Sequence, residues 1–170
     1  MGAIEILKRC EIFLGLDDVD LQKVVDLPSC REYDYMDKEI VFQIGEEARH
    51  LFILVQGQVD LVMQTSIAPA KAHDHTVVNA IGTGGVFGWP ALVPPHIFGM
   101  SAITRGKTRL LVISGRELRG LFSKYPNIGY EVMQSLLRVI LLRYRNIEQL
   151  LLTGTRSPFL ERRSHPSNQS

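Results

Sequence analysis

The sequence predicts a mainly β fold with flanking helices: an antiparallel jelly-roll (double-stranded β-helix) with N-terminal helices in front and a long C-terminal helix behind. Three observations carry this prediction. Between residues 32 and 114 the apolar residues recur with a period of two, as strands require. Glycine-bearing breaks at Gly45, Gly57, Gly82 and Gly106 recur at hairpin-like spacing, which favours a double-sheet roll over a parallel α/β sheet. Before residue 32 and from Arg116 to Leu152 the period is that of a helix.

In chain order, Ile4, Leu7, Ile12, Phe13 and Leu16 form a first helical pattern. Asp17 or Asp18 then supplies a carboxylate to cap a second helix carrying Val19, Leu21, Val24 and Val25. Strand patterns follow at Glu39–Ile44 and Leu51–Val55, with Gln56-Gly57-Gln58 as a turn before a third strand, Val59–Met63. Helical periodicity resumes at Arg116, breaks at Tyr125-Pro126 and continues from Asn127 to Leu152. This gives one domain over residues 1–152, with the roll at about 32–114 and the C-terminal helices at about 115–152. The stretch 153–170, rich in Ser, Pro, Arg and Asn, is expected to be a flexible tail.

Composition excludes several function classes. The chain has 170 residues, 45% of them apolar, enough for one globular domain with a proper core. A net charge of +1 gives no electrostatic basis for binding nucleic acid or an anionic membrane. No apolar run is long enough for a membrane span, and Met1–Glu5 lacks the pattern of a signal peptide, so a cytoplasmic location is expected. Cys10 and Cys30 are too few and too far apart for a zinc ribbon or redox pair, and read as buried free thiols.

The segment Gly82–Leu92 is the densest local signal. Glycines allow close backbone approach, and Pro90 at the start of a short helix costs no hydrogen bond, so outward-pointing amides and an anion site are expected there. A dinucleotide fingerprint would need a third glycine where Phe87 stands, and no long helix follows.

Over residues 10 to 150 the chain resembles the cyclic-nucleotide-binding domain family of catabolite-activator proteins and protein-kinase regulatory subunits, whose roll has eight strands. The resemblance is carried by Phe13-Leu14-Gly15-Leu16, Ile44-Gly45-Glu46-Glu47-Ala48, Leu51–Val59, Gly84-Gly85-Val86-Phe87-Gly88 with Ala91-Leu92, and Ser101-Ala102. It implies a ligand cassette formed by Gly85, Phe87, Gly88, Trp89, Ala91, Leu92, Phe98, Met100 and Ser101. In the family a glutamate follows the Phe-Gly pair and receives the ribose hydroxyl, and an arginine nine or ten residues later holds the cyclic phosphate. Here those positions are Trp89 and either Phe98 or Gly99, and residues 96–100 contain no arginine or lysine.

Losing a two-pronged arginine grip costs about 3 kcal/mol or more, which moves a micromolar ligand toward millimolar. Usual recognition of cyclic AMP or cyclic GMP is therefore not expected. The replacements Trp89, Val93, Ile97, Phe98 and Met100 are apolar, which fits either a pocket for another small molecule, anionic or apolar, or a pocket filled by its own side chains.

His73-Asp74-His75 has a metal-ligand spacing known from cupin-like metalloenzymes, but no acid follows before Glu117. The pair sits beside Ala68–Ala72 and reads as an exposed hairpin loop, with no metal and no cofactor. Ser101 lies in a strand pattern, Ser114 fits a helix cap and Ser123 a helix end, so no nucleophile is set beside a base and the chain reads as a non-enzyme.

Along the last helix Met133, Leu137, Ile140, Tyr144, Ile147 and Leu151 are spaced four, three, four, three, four, a coiled-coil seam that predicts a parallel homodimer. The eighteen residues from Thr153 to Ser170 are too few for a helix-turn-helix, so DNA binding by this chain alone is not expected; Arg156, Arg162 and Arg163 are available to an acidic partner. The reading reached from sequence is a regulatory or sensing module, with a ligand-free interaction scaffold as the alternative.

Overall fold

The computed structural model describes residues 2–64 and 75–154. Helices α1 (Ala3–Arg9) and α2 (Asp18–Val25) open the chain. Asp17 is the cap, its carboxylate accepting the Asp20 amide at 2.9 Å. The strands are β1 (Arg31–Tyr35), β2 (Ile40–Phe42), β3 (His50–Gln64), β4 (His75–Ile81), β5 (Val86–Phe87) and β6 (Ser101–Ser114). Helices α3 (Gly115–Lys124) and α4 (Pro126–Gly154) close the fold. The region expected to hold His73, and most of the expected tail, lie outside the described residues; His75 begins β4 opposite Gln64.

All strand pairs are antiparallel, in the order β1-β6-β3-β4, with β2 attached to β6 and β5 to β3. Among the described residues this makes six strands, because two of them are very long. β3 and β6 run for 15 and 14 residues and pair from His50 opposite Ser114 to Val62 opposite Ser101. Gln56-Gly57-Gln58, expected as a turn, is instead an irregularity inside β3. The register slips on both sides of Gln56, and Gly57 sits at φ +96°.

Along Leu51–Leu54 and Leu110–Ile113 the β3–β6 ladder is buried on both faces, and alternation there divides the core in two. Leu51, Ile53, Leu111 and Ile113 point to the helices, where they join Leu7, Phe13, Leu21, Leu118, Ile128, Val132 and Leu136. Their neighbours Phe52, Leu54, Leu110 and Val112 point into the roll, beside Phe42, Phe87 and Phe98. Ser114 ends β6 and caps α3, its hydroxyl accepting the Glu117 amide at 3.4 Å. The Glu117 carboxylate in turn accepts from the Ser29 amide and hydroxyl at 3.1 and 2.6 Å, tying α3 to the end of the α2 connection.

Helix α4 separates the residues assigned to one seam. Ile128, Val132, Leu136 and Val139 are buried in the subunit, and Met133 and Ile140 pack partly against the same core. Leu137 and Tyr144 are 58% and 57% exposed, and Ile147 is half-buried. The seam expected through Met133, Leu137, Ile140, Tyr144 and Ile147 thus straddles two faces; the side chain of Leu151 lies outside the described set. Tyr130 and Leu141 accompany Leu137 and Tyr144 on the exposed side. The heptad spacing is present, but the 3.6-residue turn carries alternate members toward the subunit's own core.

Cys10 is buried and Cys30 half-buried, both as free thiols. Burial pushes the Cys10 thiol up to about 12 and that of Cys30 to about 11, so both are protonated and unreactive at neutral pH.

Two glycines isolate the steric demand of the β3 irregularity. Gly106 has φ +73° with open space where a Cβ would stand, whereas a Cβ on Gly57 would lie 2.6 Å from the Lys107 carbonyl oxygen. Gly106→Ala is expected to cost about 1 kcal/mol, the backbone penalty alone, and Gly57→Ala at least about 1 kcal/mol more. Urea denaturation of the two variants measures the difference.

Candidate functional site

The glycine-rich turn leads from β4 through β5 into a single 3₁₀ turn, Trp89–Ala91. Gly88 precedes it at φ +76°, where a Cβ would meet the Phe52 ring at 2.7 Å and the His50 carbonyl oxygen at 2.8 Å. Only glycine fits that approach. The amides expected to face an anion are largely used within the chain. Those of Gly84 and Gly85 donate to Leu54 and Gly82 at 2.8 and 2.9 Å, and those of Ala91 and Leu92 to Gly88 and Trp89 at 3.0 and 2.9 Å. A three-residue turn leaves too little helix for the dipole-assisted anion site that the sequence suggested.

Phe98 is 5% exposed and stacks on Phe42, with ring centroids 3.7 Å apart and planes 10° apart. Phe42 also meets Phe52 and Phe87 at 5.6 and 6.0 Å, and Phe52 stacks on Phe87 at 5.2 Å. Four phenyl rings therefore fill the interior of the roll at this end. Backbone bonds hold Phe98 there: its amide donates to the Glu46 carbonyl at 3.0 Å, its carbonyl accepts the Gly45 amide at 2.8 Å, and the Ala48 amide reaches the His96 carbonyl at 2.7 Å. Gly99, the other position for the family arginine, is exposed.

In front of the rings a cleft of about 290 Å³ opens between Phe42, Leu61, Trp89, Val93, Ile97 and Met100. Among the described residues, none that lines it is charged. Of the residues singled out from sequence, Gly88, Trp89, Phe98 and Met100 meet at this cleft. Phe87, Ala91 and Leu92 are core residues behind it, Gly85 is held within its turn, and the Ser101 hydroxyl accepts the Ile44 amide at 2.9 Å. The sequence reading omitted Phe42 and Leu61, whose inward positions were readable only from strand register.

It also omitted the groups that anchor the cassette. Glu11 Oε1 accepts from the Val86 amide at 2.9 Å and from Arg143 Nη2 at 2.7 Å, so one carboxylate joins the N-terminal segment, β5 and α4. Burial lowers the Arg143 pKa from its ordinary value, against the opposing pull of Glu11, and Arg143 Nη1 is buried without a hydrogen-bond partner among the described residues. Arg119 Nη1 donates to the Ala91 carbonyl, and His96 Nδ1 lies 2.8 Å from the Pro90 carbonyl. No local motif announces such contacts, since the partners lie up to 132 positions apart.

The family model of the cyclic nucleotide-binding domain matches residues 33–125, and the chain belongs to that family. Domains of this kind are regulatory or sensing elements in related proteins. Among its relatives is a Rhodopseudomonas palustris protein named "Putative potassium channel protein", 25% identical over 129 residues. That match covers 76% of this chain and only 29% of the relative, so the chain spans under a third of the relative's length. A cyclic nucleotide-binding domain from Methylobacillus flagellatus KT has the same fold, with a TM-score of 0.73 at 16% identity, covering 94% of this chain and 85% of that one. The regulatory subunit of a cAMP-independent protein kinase A from Trypanosoma brucei superposes with a TM-score of 0.68 at 18% identity, over 89% of this chain and 50% of its own. No helix among the described residues is long and apolar enough to cross a membrane.

The phenyl cluster makes a definite demand on substitution. Phe98→Arg places a guanidinium beside Phe42 with no acid among the described residues lining the cleft, and is expected to cost about 3 kcal/mol or more. Trp89→Glu with Phe98→Arg is expected to give no tight cyclic AMP site. Guanidinium denaturation and calorimetric titration check both, and tight binding without loss of stability contradicts the repacked interior.

Proposed function

We propose that this chain is a non-catalytic sensing module whose cleft takes an uncharged, largely apolar small molecule in place of a cyclic nucleotide. The observation that carries this reading is the cleft of about 290 Å³ at the cassette, whose lining has no charged residue among the described ones; the resemblance sets a glutamate at Trp89 and an arginine at Phe98 or Gly99. Its size is near the lower end of ligand pockets, which suits a compact molecule. The Trypanosoma brucei neighbour, named for a cAMP-independent kinase, supports the idea that this fold serves signals other than cyclic AMP.

Trp89 is the lone tryptophan and reports directly on the cleft. N-phenyl-1-naphthylamine, an uncharged fluorescent probe, is expected to bind one per chain and quench Trp89. Cyclic AMP and cyclic GMP are expected to bind no tighter than about the high micromolar range. Low-micromolar, one-to-one cyclic nucleotide binding overturns the reading. Failure of the apolar probe to saturate favours the other reading, a ligand-free interaction scaffold.

The output element we assign is α4, as the interface of a two-fold homodimer. Supporting this, Tyr130, Leu137, Leu141 and Tyr144 are each more than half exposed and fall on one side of the helix. Burying each contributes about 1.5 to 3 kcal/mol, so four from each copy outweigh a modest association cost. Light scattering is expected to find a dimer, and Leu137→Asp with Leu141→Asp a monomer with unchanged circular dichroism. A monomeric wild type, or a double variant that remains dimeric, refutes this interface.

A further inference from the structure

A second cavity, of about 470 Å³, shares no lining residue with the apolar cleft. It opens where the start of β3, the start of α3 and His96 come together, and its walls carry Arg49, Arg116, Arg119, His50, His96 and Glu47. We propose that this cavity binds a small phosphate-bearing anion, a phosphomonoester or diphosphate, at a site separate from the cassette.

Charge distribution is the first argument. Three arginines against one glutamate give the walls a net charge of +2 with the histidines neutral, while the whole chain carries only +1. Positive charge is concentrated here against a background that is otherwise slightly negative. Gathering guanidinium groups around a concave surface is unfavourable unless a counter-anion neutralises them.

Unused donors are the second argument. Arg49 pairs with Glu47 through Nε and Nη2 at 2.9 and 2.7 Å, and Arg119 gives one Nη1 bond to the Ala91 carbonyl. Arg116 is exposed at the cavity and has no hydrogen bond or ion pair among the described residues. Each guanidinium has five N–H donors in a planar fork matched to a phosphate oxyanion, so most of the donors on these three side chains remain available. The volume lies within the range of small-molecule sites and exceeds that of the apolar cleft.

The position gives such an anion a route to the cassette. Arg119 and His96 are walls of the cavity and also hold the Ala91 and Pro90 carbonyls of the 3₁₀ turn. A phosphate that recruits the free arms of Arg119 therefore acts on the same turn whose other side faces the apolar cleft.

Inorganic pyrophosphate, titrated calorimetrically without magnesium at fixed ionic strength, is the direct probe. One site per chain with a sub-millimolar dissociation constant is expected. Arg49→Ala with Arg116→Ala, two exposed positions, is expected to weaken it at least about tenfold without shifting the unfolding midpoint. Pyrophosphate is titrated with the cleft empty, so the outcome does not depend on whether the cleft binds N-phenyl-1-naphthylamine. Unsaturable binding, equal binding by the double variant, or tighter binding of a hexaglutamate peptide than of pyrophosphate overturns the assignment, the last by pointing to an acidic protein partner.

Discussion

The β3–β6 ladder is the constraint on which the rest of the molecule depends. β1 and β2 are hung on β6, β4 and β5 on β3, and neither set has another route into the sheet. Because both faces are buried along Leu51–Leu54 and Leu110–Ile113, each of those residues is committed to one of two cores, and a slip of one position would exchange them. The irregularity around Gly57 lets strands this long curve around a closed interior. One core is aliphatic and welds the helices to the sheet. The other is aromatic and lies behind the cleft at the glycine-rich turn.

That aromatic core links fold to chemistry. A polar ligand site inside a roll needs buried charges that are paired, and such groups weaken a small domain when the ligand is absent. In this chain the interior of the roll behind the cleft is closed by stacked phenyl rings anchored through the Glu46–Ala48 and His96–Phe98 backbone bridges. The interior contributes to stability whether or not the cleft is occupied. For the ligand proposed above, selectivity falls to the apolar front formed by Trp89, Val93, Ile97 and Met100, which favours shape and desolvation over hydrogen-bond pattern.

Much of this was legible in the sequence because it is periodic or punctuated. The alternation along Leu51–Val55, the helix cap at Asp17 and the Tyr125-Pro126 break each depend on neighbours in the chain, and each element stands where that reading put it. Gln56-Gly57-Gln58 was misread because a glycine at positive φ serves a bulge as well as it serves a turn. The outward amides of the glycine turn were misjudged for a related reason: glycine density shows that the backbone is tightly bent, not which carbonyls lie inside the bend. The α4 seam was blurred because apolar spacing cannot say which stripe faces the subunit. Glu11, Arg119 and Arg143 left no trace in the sequence pattern, since each acts on a segment far along the chain.

The Glu11 carboxylate has a consequence for how the molecule comes apart. It holds Val86 of β5 and Arg143 of α4 with the same oxygen, so α4 cannot lift away up to Arg143 without baring a buried guanidinium and stripping the Val86 anchor of its counter-charge. The N-terminal segment, β5 and α4 up to Arg143 thus belong to one cooperative opening unit, although they are drawn from both ends of the chain. Beyond Arg143 the helix is less covered: Tyr144, Arg145 and Asn146 are exposed and Ile147 is half-buried. The carboxylate therefore marks the point at which α4 is tied to the N-terminal segment and to β5 through one shared oxygen.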